Sequence, residues 1–255
     1  MAVMTATRTA APFPPQGRPA VRFLAWGADP VAPRSPGTVE VWTWAFGDGG
    51  LTASDEAMLR ADLTPDESAR ATRYRHPRAR EQFLRSRALL RQLLAANLGC
   101  EPRDLAIEPN ADGKPRMLGG GPEFNVSHTD GVLTVALADG PVGVDVECLR
   151  PMPSATNLVE RYFSEPERRQ FEKLPEADRL AGFFRGWTCK EAVLKGIGCG
   201  VRDLDRCVVD LDPARPAAVL APTETACSWA LRTWHPTAGT VAALAVCEND
   251  AAPVG

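Results

Sequence analysis

The sequence has no excess of basic residues, no paired cysteines and no long apolar run, and each absence narrows what it can be. Lys and Arg number 29 against 32 Asp and Glu, a net charge of −3. Broad electrostatic binding to nucleic acid therefore has no support, and any anion site must be a local basic cluster. The seven cysteines (100, 148, 189, 199, 207, 227 and 247) are odd in number, scattered, and form no Cys-x-x-Cys pair. That speaks against a disulfide framework or structural zinc and predicts a reducing, cytoplasmic setting. No apolar run is long enough to span a bilayer, and the N-terminus lacks a basic segment followed by an apolar core. No membrane and no nucleic acid is expected as a partner.

What is present is an ordinary globular composition, 44% hydrophobic and 24% charged over 255 residues. It suffices for one large domain or two small ones. Residues 1–36 are rich in Pro and Ala, with prolines at 12, 14, 15, 19, 30, 33 and 36. Proline fixes φ and removes a donor, so an extended or partly disordered arm is expected there. Thr38 to Phe46 alternates, with apolar residues on both faces, which predicts a strand covered on both sides. Thr64-Pro65-Asp66-Glu67 is a capping box that starts a helix. A second helix runs from about Pro77 to Asn97 and stops at Gly99; its arginines at 78, 80, 85, 87 and 91 read as a solvated flank.

Asn110 to Arg116 forms a turn bearing Lys114 and Arg116. Three short strands follow, Glu123–His128, Val132–Ala138 and Val142–Cys148, separated by two hairpin-type turns, Thr129-Asp-Gly131 and Asp139-Gly140. Helix returns over 151–195, with a capping box at Ser164-Glu-Pro-Glu167, and Gly196, Gly198 and Gly200 end it. Arg206–Leu211, Ala226–Trp234 and Thr240–Cys247 are the last strand candidates. The order strand, helices, strands, helices, strands is not βαβ alternation, so the fold class is α+β. A pattern that plays twice predicts two similar-sized halves in pseudo-twofold arrangement, 37–141 and 142–255.

Three stretches carry chemistry. On the strand Gly143-Val-Asp-Val-Glu-Cys148, Asp145 and Glu147 share one face and Val144, Val146 and Cys148 the other. Two like charges side by side repel, and a shared cation removes that cost. Mg²⁺ is the natural candidate, since it takes oxygen ligands and commonly also binds substrate phosphate. On the helix ending Trp187-Thr-Cys-Lys-Glu-Ala-Val-Leu-Lys195, Trp187, Glu191 and Lys195 fall four apart in a row, with Lys190 one step round. In Phe124-Asn-Val-Ser-His128, adjacent Ser127 and His128 point to opposite faces. With no Gly-x-Ser-x-Gly elbow in the chain, they serve better as donors to an anion than as a nucleophile and base.

Asn125-Val-Ser-His128, Gly143-Val-Asp-Val-Glu147 and Trp187-x-x-Lys-Glu-Ala-x-x-Lys195, in this order, resemble the 4′-phosphopantetheinyl transferase family of the surfactin-synthetase-activating type. Gly113-Lys-Pro115 and Arg85-Ser86 resemble two supporting motifs, and Phe163-Ser-Glu165 and Phe184 fit the approach to the last one. The resemblance covers about residues 60–211. It implies an enzyme that moves 4′-phosphopantetheine from coenzyme A to a serine of an apo acyl or peptidyl carrier protein, releasing 3′,5′-ADP. It further implies Asp145, Glu147 and Glu191 as ligands of Mg²⁺ (or Mn²⁺), and Lys195 and His128 as contacts of the pyrophosphate. Arg85, Ser86, Lys114 and Ser127 would hold the 3′-phosphoadenosine half, with Lys190 adding a further cation. Glu191, or a water on the metal, would take the serine proton. Coenzyme A would lie in the cleft between the halves of a monomer. Two other classes share parts of this pattern: a Mg²⁺-dependent nucleotide pyrophosphatase, and a non-catalytic carrier- or coenzyme A-binding module.

Overall fold

The computed structural model describes residues 20–25, 34–47, 50–199, 204–205, 207–221 and 227–248. A first sheet runs in the order β1-β2-β6-β5. It joins β1 (Ala20–Ala25) and β2 (Thr38–Ala45) in parallel to an antiparallel hairpin of β5 (Glu123–Thr129) and β6 (Val132–Ala138). A second sheet has the order β7-β9-β8, all antiparallel, from β7 (Val142–Cys148), β8 (Ser228–Trp234) and β9 (Thr240–Glu248). The small hairpin of β3 (Ile107–Pro109) and β4 (Pro115–Met117) carries the Lys114 turn.

Helices cover the outer faces. α1 (Ala53–Ala61), α2 (Pro65–Thr72) and α3 (Pro77–Leu98) precede the hairpins; α4 (Ala155–Tyr162), α5 (Glu165–Lys173) and α6 (Glu176–Ile197) follow β7. Alternation along β2 and β6 sorts their residues into two cores. Trp42, Trp44, Leu133, Val135 and Leu137 pack with Leu90, Leu93 and Leu94 of α3. Val39, Val41, Ala136 and Ala138 face the second sheet, against Val142, Val144, Leu244 and Val246. Hence the two apolar faces of β2: one meets a helix, the other meets a sheet.

The second sheet's far side carries α6. Glycine is required twice at this contact. A Cβ on Gly143 would lie 1.9 Å from the carbonyl oxygen of Ala192, and one on Gly196 would lie 2.5 Å from the Trp229 ring. β7 and α6 thus touch backbone to backbone, which sets Glu191 and Lys195 beside Asp145.

Four expectations need correction. Residues 20–25, inside the Pro/Ala-rich arm, form β1; the window between Pro19 and Pro30 contains no proline, and its NH groups can pair with β2. The rest of that arm, 1–19 and 26–33, lies outside the described residues, as do Gly200, Arg206 and Ala226. Asp139-Gly140 is not a hairpin turn. Both edges of β6 are already filled by β2 and β5, and the Asp139 carboxylate is engaged by Arg34 and by the NH of Gly37, so the chain crosses to the other sheet. Residues 207–211 contribute a single bridge, Val209 to Val219, and not a strand. Finally, Cys227 and Cys247 form one disulfide, Cα atoms 5.6 Å apart; the β8–β9 register brings together residues that sequence spacing does not connect. One unforeseen helix, α1, begins with a capping box whose acid is Asp55 in place of the usual Glu. Among the described residues no helix is long and apolar enough to cross a membrane.

Two helical stretches correspond. α3 and α6 are each 22 residues long and end at a left-handed glycine, Gly99 and Gly198. Each is preceded by a short helix whose capping-box glutamate turns inward. Glu67 meets Arg91 at 2.6 Å, and Glu167 meets Lys190 at 2.7 and 2.6 Å through its two oxygens. Arg91 and Lys190 are both the fifteenth residue of their helix. Two of the expected solvated arginines, 87 and 91, are therefore bound to Glu67.

Breaking a fully buried ion pair from one side strands the other charge and costs about 3–5 kcal/mol. Lys190→Met should lower the urea unfolding free energy by that amount, and adding Glu167→Gln should recover part of it. A single variant as stable as wild type would show that the pair does not hold α5 against α6.

Candidate active site

Asp145 and Glu147 project from β7 on the face that meets α6, as alternation requires. Glu191 and Lys195, four apart on α6, arrive beside them. Ser127 and His128 come from the end of β5. All six line one cavity of about 230 Å³. A second cavity, of about 220 Å³, shares Val126 and Lys195 with the first and is lined by Gly113, Lys114, Pro115, Asn125 and Gly198 among others.

The centre of the first cavity is a tight polar cluster. Lys195 Nζ donates to Asp145 Oδ1 at 2.6 Å and to Ser127 Oγ at 3.1 Å. Ser127 Oγ donates to Asp145 Oδ1 at 2.9 Å and accepts from the NH of Val146 at 3.2 Å. One residue pair away, Asn125 Oδ1 accepts from the NH of Val144 at 2.9 Å. Asp145 is 4% exposed, and its Oδ2 is buried with no hydrogen-bond partner.

Three carboxylates against one lysine leave an unbalanced negative site, and the proton affinities record it. Burial, then the charge of Asp145, raises Glu191 to about 7, with Glu147 adding to the shift and Lys195 opposing it. Burial and Asp145 likewise push Glu147 above the ordinary carboxylate value. His128, exposed at the rim, moves the other way: desolvation of the ring against the cavity wall, joined by Lys195 and opposed by a hydrogen bond to its own backbone, holds it below the ordinary imidazole value. Lys114 is lowered by burial; its Nζ donates to the carbonyls of Gly196 at 3.0 Å and Val142 at 3.3 Å.

The remaining residues singled out in the sequence lie elsewhere. Arg85 pairs with Glu81 and stacks over the Phe46 ring, 4.2 Å from its centroid, and Ser86 is buried in α3; neither lines either cavity. Lys190 is fully buried, its ammonium taken up by both oxygens of Glu167 and by the carbonyl of Cys207. It faces the fold and not a ligand, which corrects its expected place at the nucleotide. Trp187 packs against Phe183 and edge-on to Tyr162, holding α6 in register.

Sequence reasoning missed two residues. Asn125 stood in the quoted motif without a role, although alternation already put it on Ser127's face. Gln82 carried no signal; only the fold brings it to His128. Among the described residues no three His, Cys, Asp or Glu side chains form a ready-made metal centre. The donor set nevertheless fits a hard cation: carboxylate oxygens, one of them buried and unpartnered, in a site of net negative charge.

The model of the 4′-phosphopantetheinyl transferase superfamily matches residues 141–247. The 4′-phosphopantetheinyl transferase HetI of Nostoc sp. is 36% identical over 193 residues, 74% of this chain and 80% of that protein. A putative 4′-phosphopantetheinyl transferase of Synechocystis sp. is 36% identical over 158 residues, 59% of this chain and 64% of its own length. A 4′-phosphopantetheinyl transferase of Bacillus pumilus is 30% identical over 146 residues, 56% and 61% of the two chains.

The raised Glu191 has a consequence for stability. Between its ordinary value of 4.5 and about 7, the folded protein holds a proton that the unfolded chain has released. Stability contributed by this group therefore falls as pH rises through that window. In chelator, Glu191→Gln should be more stable than wild type above the window, by about 1–2 kcal/mol after allowance for solvent. Below pH ~4.5 the gain should vanish. Thermal unfolding across the window checks this; a pH-independent difference would refute the burial of a repelled carboxylate.

Proposed function

Since the chain belongs to the 4′-phosphopantetheinyl transferase superfamily, we propose that it transfers the 4′-phosphopantetheine arm of coenzyme A to a serine hydroxyl of an apo acyl or peptidyl carrier protein. The observation that carries this reading is the Lys195–Asp145–Ser127 cluster, with a buried, unpartnered oxygen on Asp145, in a cavity that Glu147 and Glu191 also line. A lone surface ion pair would not keep three carboxylates together against their mutual repulsion. A site that binds both a cation and phosphates gives them a purpose.

In the reaction the serine oxygen forms a bond to the β-phosphorus of coenzyme A and the pyrophosphate P–O bond breaks, so that 3′,5′-ADP leaves. Charge must be neutralised on the phosphate oxygens, and the serine must lose its proton. Lys195 supplies a fixed positive charge at the cavity wall, and His128 a neutral imidazole at its rim. Glu191, with a pKa of about 7, is suited to accept a proton near neutral pH. Asp145, Glu147 and Glu191 would hold Mg²⁺ or Mn²⁺, which when bound supplies charge neutralisation at the pyrophosphate. Lys114 and the second cavity, which shares Val126 and Lys195 with the first, suit the 3′-phosphoadenosine half. Ser127, on the wall of the first cavity, is assigned to the same half; Arg85 and Ser86, which line neither cavity, keep that assignment from the resemblance alone.

The ordered motifs favour the surfactin-synthetase-activating type within the family. The matched capping-box glutamates and 22-residue helices support two similar halves, 37–141 and 142–255, in pseudo-twofold relation about the cleft.

Incubated with coenzyme A, Mg²⁺ and a panel of apo acyl and peptidyl carriers, the protein should add one phosphopantetheine to at least one carrier, read as intact mass. Asp145→Asn should slow this by about 10²–10³-fold. No mass gain on any carrier, or release of 3′,5′-ADP when carriers are omitted, would overturn the transferase reading; the latter would indicate a pyrophosphatase.

A further inference from the structure

An imidazole at a phosphate site helps only if the ring nitrogen facing the phosphate carries a proton; a lone pair there repels the anion. Gln82, on the first half of α3, bears on this choice. Its amide nitrogen lies 3.0 Å from Nδ1 of His128 and 3.3 Å from the carbonyl oxygen of Thr129. A backbone carbonyl only accepts hydrogen bonds. The Gln82 atom between the two partners must therefore be the NH₂ group, and Thr129 fixes the amide's orientation. The NH₂ has two hydrogens, one for each partner.

Nδ1 of His128 is then an acceptor and carries no proton. In a neutral imidazole the proton sits on the other nitrogen. With Nδ1 occupied by Gln82, Nε2 is the ring nitrogen left for the cavity that His128 lines with Ser127, Asp145, Glu191 and Lys195. We infer that Gln82 is a positioning residue that locks His128 in its Nε2–H tautomer, so that the ring presents a donor to the phosphate oxygens of the substrate. The identity of that ligand rests on the transferase reading; the tautomer does not.

The arrangement also divides labour between two donors. Lys195 is tied to Asp145 and Ser127 deep in the cleft. His128 is at the exposed rim, where a neutral donor adds a hydrogen bond without placing a second cation against Lys195. Desolvation of the ring lowers its proton affinity and favours the neutral form, in which the tautomer decides what the ring can do.

The chain has three histidines, His76, His128 and His235, so ¹⁵N NMR of the histidine-labelled full-length protein can resolve each ring. His128→Asn identifies the signals. In the free wild-type protein, at a pH where the ring is neutral, His128 should show a protonated Nε2 and an unprotonated Nδ1. Gln82→Glu replaces the donor by an acceptor and should move the proton to Nδ1 or protonate both nitrogens. Gln82→Lys keeps a donor and should retain the Nε2–H form; both replacements are compatible with a helix. With coenzyme A and a carrier, Gln82→Glu should lower kcat/KM by about 10- to 100-fold, and Gln82→Lys should recover part of the loss. A wild-type ring protonated on Nδ1, or a Gln82→Glu ring identical to wild type, overturns the inference. So does a moved tautomer with unchanged kcat/KM. The spectra are read without substrate, so they stand whether or not any carrier is modified.

Discussion

Two backbone NH groups of β7, those of Val144 and Val146, are answered by side chains of β5, Asn125 and Ser127, and not by a strand. Directly paired strands lie about 4.7–4.9 Å apart, and an amide or hydroxyl interposed between them holds them wider. The two sheets therefore meet along a seam bridged by side chains. A buried NH without a partner costs about 1–3 kcal/mol, so Asn125 and Ser127 are constrained by the fold before any substrate is considered. The same Ser127 oxygen that serves Val146 also touches Asp145 and Lys195. The joint between the sheets and the floor of the active site are one structure.

From that seam the charge balance follows. Asp145 faces α6 because Val144 and Val146 must face the inner core, and α6 comes close enough because Gly143 and Gly196 have no side chain to prevent it. Glu191 and Lys195 are then unavoidable neighbours. Among the three carboxylates Lys195 hydrogen-bonds only Asp145, and burial together with the Asp145 charge leaves Glu147 and Glu191 with raised proton affinity. Carboxylates held this close carry an electrostatic cost. On the proposed function, a cation and the substrate's anionic oxygens would settle that cost together.

Much of this was legible in the sequence where the information is local. Alternation from Val142 to Val146 sorted Asp145 from the core valines correctly, though Cys148, expected beside them, is only half-buried, and the capping boxes at Thr64 and Ser164 opened helices where expected. What failed depended on distant partners. Asp139-Gly140 has the chemistry of a hairpin turn, but whether β7 can pair with β6 depends on β2 having taken that edge. Lys190 stands next to Glu191 in sequence, yet a helix turns by about 100° per residue, so the two leave on different sides. Its destination is set by Glu167, 23 positions away. Gln82 reaches His128 across 46 residues, and no local pattern announces such a contact.

The matched helices explain why the site is nevertheless lopsided. Position fifteen of each is a cation clamped to a capping-box glutamate, Arg91 in α3 and Lys190 in α6. One residue further, α3 has Gln92, which donates to Asp62, while α6 has Glu191 in the cavity. Four further still, α3 has Ala96 where α6 has Lys195. On the two-half reading, the clamp is common to both halves because each needs a buried pair to dock its long helix. The carboxylates and the lysine belong to α6 and β7 alone. The first half gives instead neutral hydrogen-bonding groups, Ser127, His128 and, behind His128, Gln82. A symmetric site would duplicate the carboxylates and double their repulsion. Placing the acids on one half and the neutral donors on the other suits a substrate whose phosphates must meet a cation on one side and protein hydrogen bonds on the other.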